Sequence, residues 1–362
     1  MFLDGHYGVL TELERTVPGV YDGWPLVRSR RAFKRDLKTG MAYPDLPCST
    51  PRLDRETGRV GIKVFRLCSH WQLFDLVQQS IWGTPAAKLT ERYMSHMGSQ
   101  AHMHAMAPDA SSSADDVAYR TARQLLVLAH RAVEGVRDGD RSYPSWVGML
   151  LHTVTDAYTP SHAERRIRSV RSGGSGFSGF SGFSGGSKGQ RDVLDAAAEL
   201  DSAIYRLAKA TQAEPLSRKA LRSRLPRSGQ SSVYRAYLRY VMLHQSIASI
   251  KRVIPDLRAA YDRAVARAHT ADRAAGSSVA RFWHYASQST AEHMLGDVGP
   301  NGALRTEMMR CCGDALELLR QGMSDSSSSS NTKTMLLGLL DLLVAGPLRI
   351  RIPKCRCAGC RR

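Results

Sequence analysis

The chain has 362 residues, of which 43% are hydrophobic, and this is enough apolar material for one large or two ordinary buried cores. Lys and Arg number 51 against 33 Asp and Glu, so the formal net charge is +18 at pH 7. A surface this basic suits an anionic partner, either nucleic acid or a phospholipid surface. No apolar run is long enough to span a membrane, and no signal peptide is visible in the first residues. We therefore expect a soluble or peripheral-membrane protein, and composition alone does not assign a compartment.

The N-terminal region carries two candidate metal ligands, His6 and Asp45. Asp45 lies in a loop between Pro44 and Pro47, after a basic helix predicted over residues 27–37. Prolines fix their own φ angle and restrict the residue before them, so we expect this loop to be extended and rigid. Asp45 is then either an ordinary turn aspartate or a ligand on a rigid support.

A histidine-rich segment follows a helix predicted over residues 64–81. His96, His102 and His104 occur within nine residues, in a chain with 12 histidines in all. In an extended segment both histidines of a His-x-His pair can bind one metal ion, whereas on a helix only one of them would face it. The segment therefore predicts at least one metal ligand and leaves its identity open.

The most informative stretch comes after a helix predicted over residues 114–135. His152 and Asp156 stand four residues apart, so on a helix their side chains project from one face, one turn apart. Pro160 ends that helix, and His162 follows in the turn just beyond it. Two interpretations of this pair are possible: a ligand pair for a first-row metal ion, or a buried histidine beside a helix cap. The presence of His162 favours the metal site.

Residues 172–190 are rich in Gly and Ser and contain three Ser-Gly-Phe repeats, after a strongly basic run at 163–168. This composition buries too little apolar surface to order itself, so we expect a flexible insertion. Two helical stretches are predicted next, over residues 191–212 and 231–275. Pro255 is expected to kink or split the second of them.

The C-terminal part contains a second His-x3-carboxylate pair, His293 and Asp297, which a helix would place on one face. An amphipathic helix is predicted over residues 302–320, and the serine run at 324–330 is expected to be disordered. An apolar helix and a basic tail with three cysteines follow over residues 335–362. The tail is either a helix packed on the core with a loose end or a lipidated anchor on a membrane surface.

Taken in order, these motifs resemble those of a known superfamily. They are Gly5-His6, Pro44-Asp45, His-x-His at 102–104, His152-x3-Asp156-x5-His162 and His293-x3-Asp297. The pattern is similar to that of the zinc-dependent phospholipase C and fungal single-strand nuclease superfamily, whose members are almost wholly α-helical. The central motif is the specific one, and the flanking motifs add weight through their order.

The resemblance implies an all-α, multi-helical single domain with disordered Gly/Ser loops. Residues 1–165 and 279–320 would form the zinc phosphodiesterase-like domain, and the flexible insertion would occupy 166–190. Inserted helices would follow at 191–278. Residues 321–362 would comprise a serine-rich linker, the apolar helix and the basic Cys-rich tail.

The resemblance also implies a ligand set for two or three zinc ions. The first ion would be held by Asp45, His104, His152 and Asp156, and the second by His162, His293 and Asp297. Asp156 would bridge to a third ion bound by His6 and by the chain's N-terminal amino and carbonyl groups. His104 is chosen from four candidates because the family ligand precedes the helix before the central motif; the others are His70, His96 and His102.

The activity implied is hydrolysis of a phosphodiester, with Asp45 as general base. The substrate would be a phospholipid or a single-stranded nucleic acid, and the tail offers a peripheral membrane contact. The alternative is a non-catalytic helical binding protein that retains the metal-binding scaffold. A third hypothesis is a helical protein with one structural metal ion. The oligomeric state is not predicted.

Overall fold

A computed structural model describes residues 3–45, 50–63, 98–107, 112–158, 188–211, 215–225, 230–274, 303–324 and 328–349. The protein is mostly helical, as predicted. The α-helices are α1 (Leu3–Thr16), α2 (Arg30–Ala42), α3 (Ala114–Arg137), α4 (Pro144–Ala157), α5 (Lys188–Ala210), α6 (Arg218–Arg222), α7 (Gln230–Val253), α8 (Leu257–Ala274), α9 (Ala303–Ser324) and α10 (Ser329–Ala345). Two 3-10 helices span Gly98–His104 and Pro347–Arg349. Within the described ranges, no helix combines the length and apolarity needed to cross a bilayer.

The helix α1 lies in a stretch to which the sequence pattern assigns no helix. Gly5 and Gly8 lower its intrinsic helix propensity. The helix packs against α2 and α9 and buries three apolar side chains completely, Val9, Leu10 and Leu13. Tertiary burial of this apolar face therefore outweighs the local propensity.

The helix α2 is displaced toward the C-terminus from its predicted range of 27–37. Its N-cap is Ser29, whose hydroxyl accepts a hydrogen bond from the amide of Ala32 at 3.2 Å. The helix continues to Ala42, well beyond the predicted end, because Leu37 and Met41 are fully buried against α4. Residues 43–45, which include Asp45, form a turn directly after the helix.

The helices α2 and α4 cross in backbone contact at two glycines. A Cβ atom on Gly40 would lie 2.0 Å from the carbonyl oxygen of Ser145, and one on Gly148 would lie 2.1 Å from that of Leu37. Only glycine permits so close an approach without moving a helix. This crossing brings the end of α2 next to the second half of α4, where His152 lies.

The helix α3 runs through the centre of the core. It begins at Ser113, whose hydroxyl accepts a hydrogen bond from the amide of Asp116 at 3.0 Å. Its neighbours include α4, α7, α8, α9 and α10. Pro255 separates α7 from α8, as predicted. Both of these helices join the same hydrophobic core as α3 and α4.

The helices α9 and α10 pack against each other near the C-terminus. Cys311 and Cys312 of α9 are fully buried and form no disulfide, so they serve as packing residues. The serine run at 324–330 is not disordered throughout. Ser328, within this run, is the N-cap of α10, and its hydroxyl accepts a hydrogen bond from the amide of Ser330 at 3.1 Å.

Two features differ from the predicted all-helical plan. A short antiparallel hairpin pairs β1 (Thr50–Leu53) with β2 (Val60–Lys63), in the register Leu53 opposite Val60. Its turn contains Gly58 at φ 63°, a conformation that favours glycine. The helix α5 begins at Lys188, inside the stretch 166–190 that the composition predicts to be flexible.

Candidate metal centre

Five of the predicted ligands come together in one cluster, which we call the metal-ligand cluster. Its residues come from α1, the turn after α2, the first 3-10 helix and α4: His6, Asp45, His104, His152 and Asp156. The side chains of the three histidines are fully buried, and that of Asp156 is 1% exposed. The Asp45 side chain is 21% exposed, so it marks the side from which solvent reaches the cluster.

Three of these residues present their ligand atoms as a near-equilateral triangle. The Asp156 Oδ2 atom lies 2.9 Å from His104 Nδ1 and 3.0 Å from His152 Nε2, and the two nitrogens are 3.1 Å apart. Atoms bound tetrahedrally to zinc at about 2.0–2.1 Å would be separated by about 3.3 Å. The triangle is therefore close to one face of a zinc coordination tetrahedron.

The second carboxylate oxygen of Asp156 faces a different histidine. Asp156 Oδ1 lies 3.4 Å from His6 Nε2, and Asp45 Oδ2 lies 3.9 Å from the same nitrogen. His6, Asp45 and His152 form a second group whose ligand atoms lie within 4.8 Å of one another. The two carboxylate oxygens of Asp156 thus face two adjacent groups of metal-ligand atoms, and His152 belongs to both groups.

Two of the histidine rings are held by hydrogen bonds from the nitrogen that points away from the cluster. His152 Nδ1 lies 2.7 Å from the carbonyl oxygen of Met41, which can only accept. His6 Nδ1 lies 2.7 Å from Thr155 Oγ1, and that hydroxyl donates to the carbonyl of His152 at 2.8 Å. These partners assign a proton to Nδ1 in both rings, so Nε2 is the nitrogen that each ring turns toward the cluster and can offer to a metal ion.

Ring packing fixes the remaining freedom of these side chains. The rings of His6 and His152 are stacked with centroids 4.1 Å apart, and His104 meets His152 edge to face at 4.9 Å. His6 Nε2 is buried and has no hydrogen-bond partner among the described residues. A buried lone pair in this position is costly unless it is coordinated, so the residues present fit a cation.

Burial and charge shift the histidine pKa values in opposite directions. Desolvation, followed by repulsion from His152, lowers the pKa of His6 well below 6.5. Burial alone would also lower the pKa of His152, but the carboxylates of Asp156 and Asp45 raise it above 6.5. The neutral form that a metal ion requires is therefore already favoured at His6, whereas at His152 a cation must displace a proton.

The 3-10 helix Gly98–His104 separates the two histidines of the His-x-His pair. His104 points to Asp156, whereas His102 lies near Arg123 and Arg120 of α3. Burial and these two charges lower the pKa of His102 to about 3. Only one histidine of the pair joins the metal-ligand cluster, as expected for a helical segment.

The supporting residues were not predicted from the sequence. The Met41 carbonyl and the Thr155 hydroxyl orient the histidines, and the two glycines of the α2–α4 crossing bring their helices together. Arg239 of α7 donates from Nε to the Tyr43 hydroxyl at 2.9 Å, two residues before Asp45. The role of Thr155 could have been suspected because it precedes Asp156 in the sequence. The contacts of the Met41 carbonyl and of Arg239 join distant segments, so no local sequence pattern predicts them.

The other predicted ligands, His162, His293 and Asp297, lie outside the described residues. The same holds for His70, His96 and the N-terminal groups assigned to the third ion. The ligand set predicted for the second zinc ion therefore stays a prediction.

Comparison with protein-family models, with curated proteins and with solved structures finds no match. The geometry of the cluster therefore carries the functional argument alone. Three imidazoles and two carboxylates converge in a mostly buried site, and they could bind a metal ion.

Proposed function

We propose that this protein is a zinc-dependent phosphodiester hydrolase, similar in its centre to zinc-dependent phospholipases C and fungal single-strand nucleases. One observation carries the proposal. Five residues singled out by that resemblance, up to 150 positions apart in the sequence, bring their ligand atoms together in two groups that share His152. An ordinary buried histidine or helix cap would not require this convergence.

The donor set suits zinc. It consists of imidazole nitrogens and carboxylate oxygens without sulfur, which zinc accepts at catalytic sites. His104, His152 and Asp156 would hold one ion together with Asp45, and His6 would hold a neighbouring one across Asp156. When bound, zinc supplies a Lewis acid that lowers the pKa of a water molecule and neutralises charge on phosphoryl oxygens.

The protein's own groups have separate roles in this proposal. Asp45 is the partly exposed member of the cluster. It can therefore bind the metal ion and also contact a water molecule, from which it would take a proton as the general base. The Met41 carbonyl and the Thr155 hydroxyl keep the His152 and His6 rings in one orientation. The three histidines are buried, so Asp45 is the member of the cluster that water reaches most readily.

The substrate is proposed to be a phospholipid or a single-stranded nucleic acid. The formal charge of +18 favours a polyanionic chain. The apolar face of α10 is buried in the core, so only the basic, cysteine-bearing sequence after it favours a lipid surface.

Elemental analysis and activity assays on the purified protein test the proposal. We expect two or three zinc ions per chain and hydrolysis of single-stranded DNA or of choline phospholipid. The variant Asp156→Asn removes the charge of the shared carboxylate and should lose zinc and at least about 100-fold in activity. Asp262→Asn, which changes an exposed carboxylate on α8, is the matched control and should retain both.

Circular dichroism and the zinc count separate the alternatives. A folded Asp156→Asn protein without zinc fits the hydrolase, whereas an unfolded one indicates a single structural metal ion. Fewer than two zinc ions with no activity on either substrate would favour a non-catalytic binding protein and reject the proposal.

A further inference from the structure

The loop that joins α1 to α2, residues 17–29, holds an apolar side chain in solvent in a strained conformation. Leu26 is 42% exposed, and its φ angle of 58° lies in the left-handed region that bulky residues rarely adopt. Within the described ranges, this loop contains two of the three large hydrophobic residues that are exposed, Val17 and Leu26. A single exposed leucine is ordinary on a protein surface, but one held in a costly backbone conformation indicates a function.

Contacts on both sides of Leu26 keep it in this position. The Trp24 side chain before it is buried in the core, and the hydroxyl of the buried Tyr143 donates to the Pro25 carbonyl at 2.8 Å. After it, Ser29 is the N-cap of α2. Because the chain is fixed before and after Leu26, the fold determines the left-handed conformation and presents the leucine side chain to solvent.

Exposed arginines follow Leu26 within five residues and form with it what we call the Leu26 tip: Leu26, Arg28, Arg30 and Arg31. Arg30 lies 2.9 Å from the Glu14 carboxylate of α1. Arg28 and Arg31 make no ion pair with any residue that the structure describes, and the first turn of α2 contains no acidic residue. The charges of these two arginines are therefore available to an anionic partner.

An exposed leucine beside arginines with available charge matches the interface of an anionic bilayer. There the leucine side chain enters the boundary of the acyl chains, while the guanidinium groups bind the phosphates and carboxylates of the lipid headgroups. Arginines alone would also suit a nucleic acid. Proteins bind single strands by stacking bases on aromatic side chains, however, and the two aromatic residues of this loop, Tyr21 and Trp24, are buried.

We propose that the Leu26 tip docks on membrane surfaces that contain anionic phospholipids. Together the leucine and the arginines support half-maximal binding at on the order of 1 mM lipid, which makes the contact reversible. The tip lies before α2, and Asp45 of the metal-ligand cluster follows its other end, about 20 Å away for a helix of 13 residues. The tip has no residue in common with that cluster and does not rest on the proposed hydrolase activity.

Sedimentation of the full chain with lipid vesicles tests this inference. Binding to phosphatidylcholine vesicles that contain about 30% phosphatidylserine should be at least about tenfold tighter than to phosphatidylcholine alone, and it should weaken as the salt concentration rises. The variant Leu26→Asn removes the apolar side chain and should lower the partition coefficient about tenfold. The double variant Arg28→Gln/Arg31→Gln should lower it about 25-fold, because each arginine near an anionic surface contributes about fivefold.

Matched variants separate the Leu26 tip from general charge and from effects on the fold. Leu26→Met keeps an apolar side chain and should bind vesicles within about twofold of the wild type. Arg222→Gln/Arg224→Gln removes the same charge from two exposed arginines at the end of α6 and should also leave binding within about twofold. Leu26→Asn should melt at or above the wild-type temperature, because asparagine adopts a positive φ more readily than leucine. A lower melting temperature would show that Leu26 supports the fold and would contradict the inference.

The inference is overturned if phosphatidylserine does not strengthen vesicle binding of the wild type. It is equally overturned if Leu26→Asn and the double arginine variant of the tip bind vesicles as the wild type does, since another surface would then make the contact. A parallel titration with single-stranded DNA covers the other polyanion. If the double arginine variant loses DNA binding while Leu26→Asn changes neither ligand, the tip binds nucleic acid and the proposal is wrong. None of these measurements depends on zinc or on hydrolysis, so failure here is distinct from failure of the proposed function.

Discussion

Gly148 of α4 lies directly against the carbonyl oxygen of Leu37 in α2, at a separation that leaves no room for a side chain. The same crossing brings the Met41 carbonyl within 2.7 Å of His152 Nδ1. Backbone contact between the two helices therefore sets the orientation of a candidate metal ligand one turn away. The stability of the fold and the geometry of the metal-ligand cluster depend on one contact.

The variant Gly148→Ala should both destabilise the protein and weaken metal binding. Its Cβ atom would stand 2.1 Å from the Leu37 oxygen, so α2 and α4 must separate. We expect the free energy of unfolding to fall by about 3 kcal/mol in urea denaturation, and the zinc content to decrease.

Gly338→Ala in α10 is the matched control for this variant. Its Cβ atom would lie at an ordinary 3.7 Å from Leu318. There the gain in helix propensity, up to about 1 kcal/mol, should stabilise the protein. Equal effects of the two substitutions would mean that the α2–α4 contact has no special role.

The sequence predicts the parts of the cluster that depend on local periodicity. His152 and Asp156 share a face because they are four residues apart on α4, and the His-x-His segment contributes one ligand because it is helical. These relationships follow from helix geometry alone. The resemblance to a known superfamily added His6 and Asp45 to this set, and both lie beside His152 in the structure.

The parts that escaped prediction depend on tertiary contacts. The helix α1 forms despite Gly5 and Gly8 because its apolar face is buried, and no local signal reports that burial. The extension of α2 to Ala42 depends on the neighbouring helix in the same way. The carbonyl of Met41 that orients His152 is a backbone group. Any residue at this position would supply it, so the amino-acid type does not predict its role.

The variant Thr155→Val should weaken metal binding without disturbing the fold. Valine has nearly the same shape as threonine but cannot accept the hydrogen bond from His6 Nδ1, which is 2.7 Å long in the native protein. Loss of such an orienting partner typically lowers metal affinity about 10–100-fold. Competition with a chelator of known zinc affinity measures the change.

Thr121→Val provides the comparison for this substitution. Thr121 is also fully buried, but its hydroxyl donates only to the Val117 carbonyl within α3. Its variant should therefore bind zinc like the wild type. If the two valine variants bound zinc equally well, the proposed role of Thr155 in orienting His6 would be wrong.

Zinc binding should release more protons under mildly acidic conditions than under alkaline ones. The Asp156 and Asp45 charges raise the pKa of His152 above 6.5 despite its burial, so the metal-free protein keeps a proton there. A ligand imidazole must be neutral, so zinc displaces this proton and its affinity falls as the pH drops through the raised pKa. His6 contributes little because burial lowers its pKa.

Calorimetric zinc titrations in two buffers of different ionisation enthalpy measure the proton count. We expect release of about one more proton near pH 6 than near pH 8. The variant His269→Gln, which changes an exposed histidine of α8, should give the same difference as the wild type. A proton count independent of pH would contradict the assignment of His152 as a ligand.

The two adjacent thiols of α9 should make the stability of the fold sensitive to alkaline pH. Burial raises the pKa of Cys311 to about 12, and that of Cys312 well above its usual value. In the unfolded chain both thiols ionise near pH ~8.5, so the unfolded state binds fewer protons than the folded state above that pH. Their contribution to the free energy of unfolding is complete below about pH 8.5 and decreases as the pH rises toward 12.

Urea denaturation of the wild type and of the double variant Cys311→Ala/Cys312→Ala, at about pH 7.5 and pH 9.5, measures this contribution. Each ionising thiol should lower the free energy of unfolding by up to about 1.4 kcal/mol per pH unit, and the double variant should lack that part of the decrease. Because α9 packs against α1 and α4, we expect ionisation of these buried thiols to weaken the packing of the helices that carry His6 and His152. An identical decrease in both proteins would show that other groups, and not these cysteines, determine the alkaline limit of the fold.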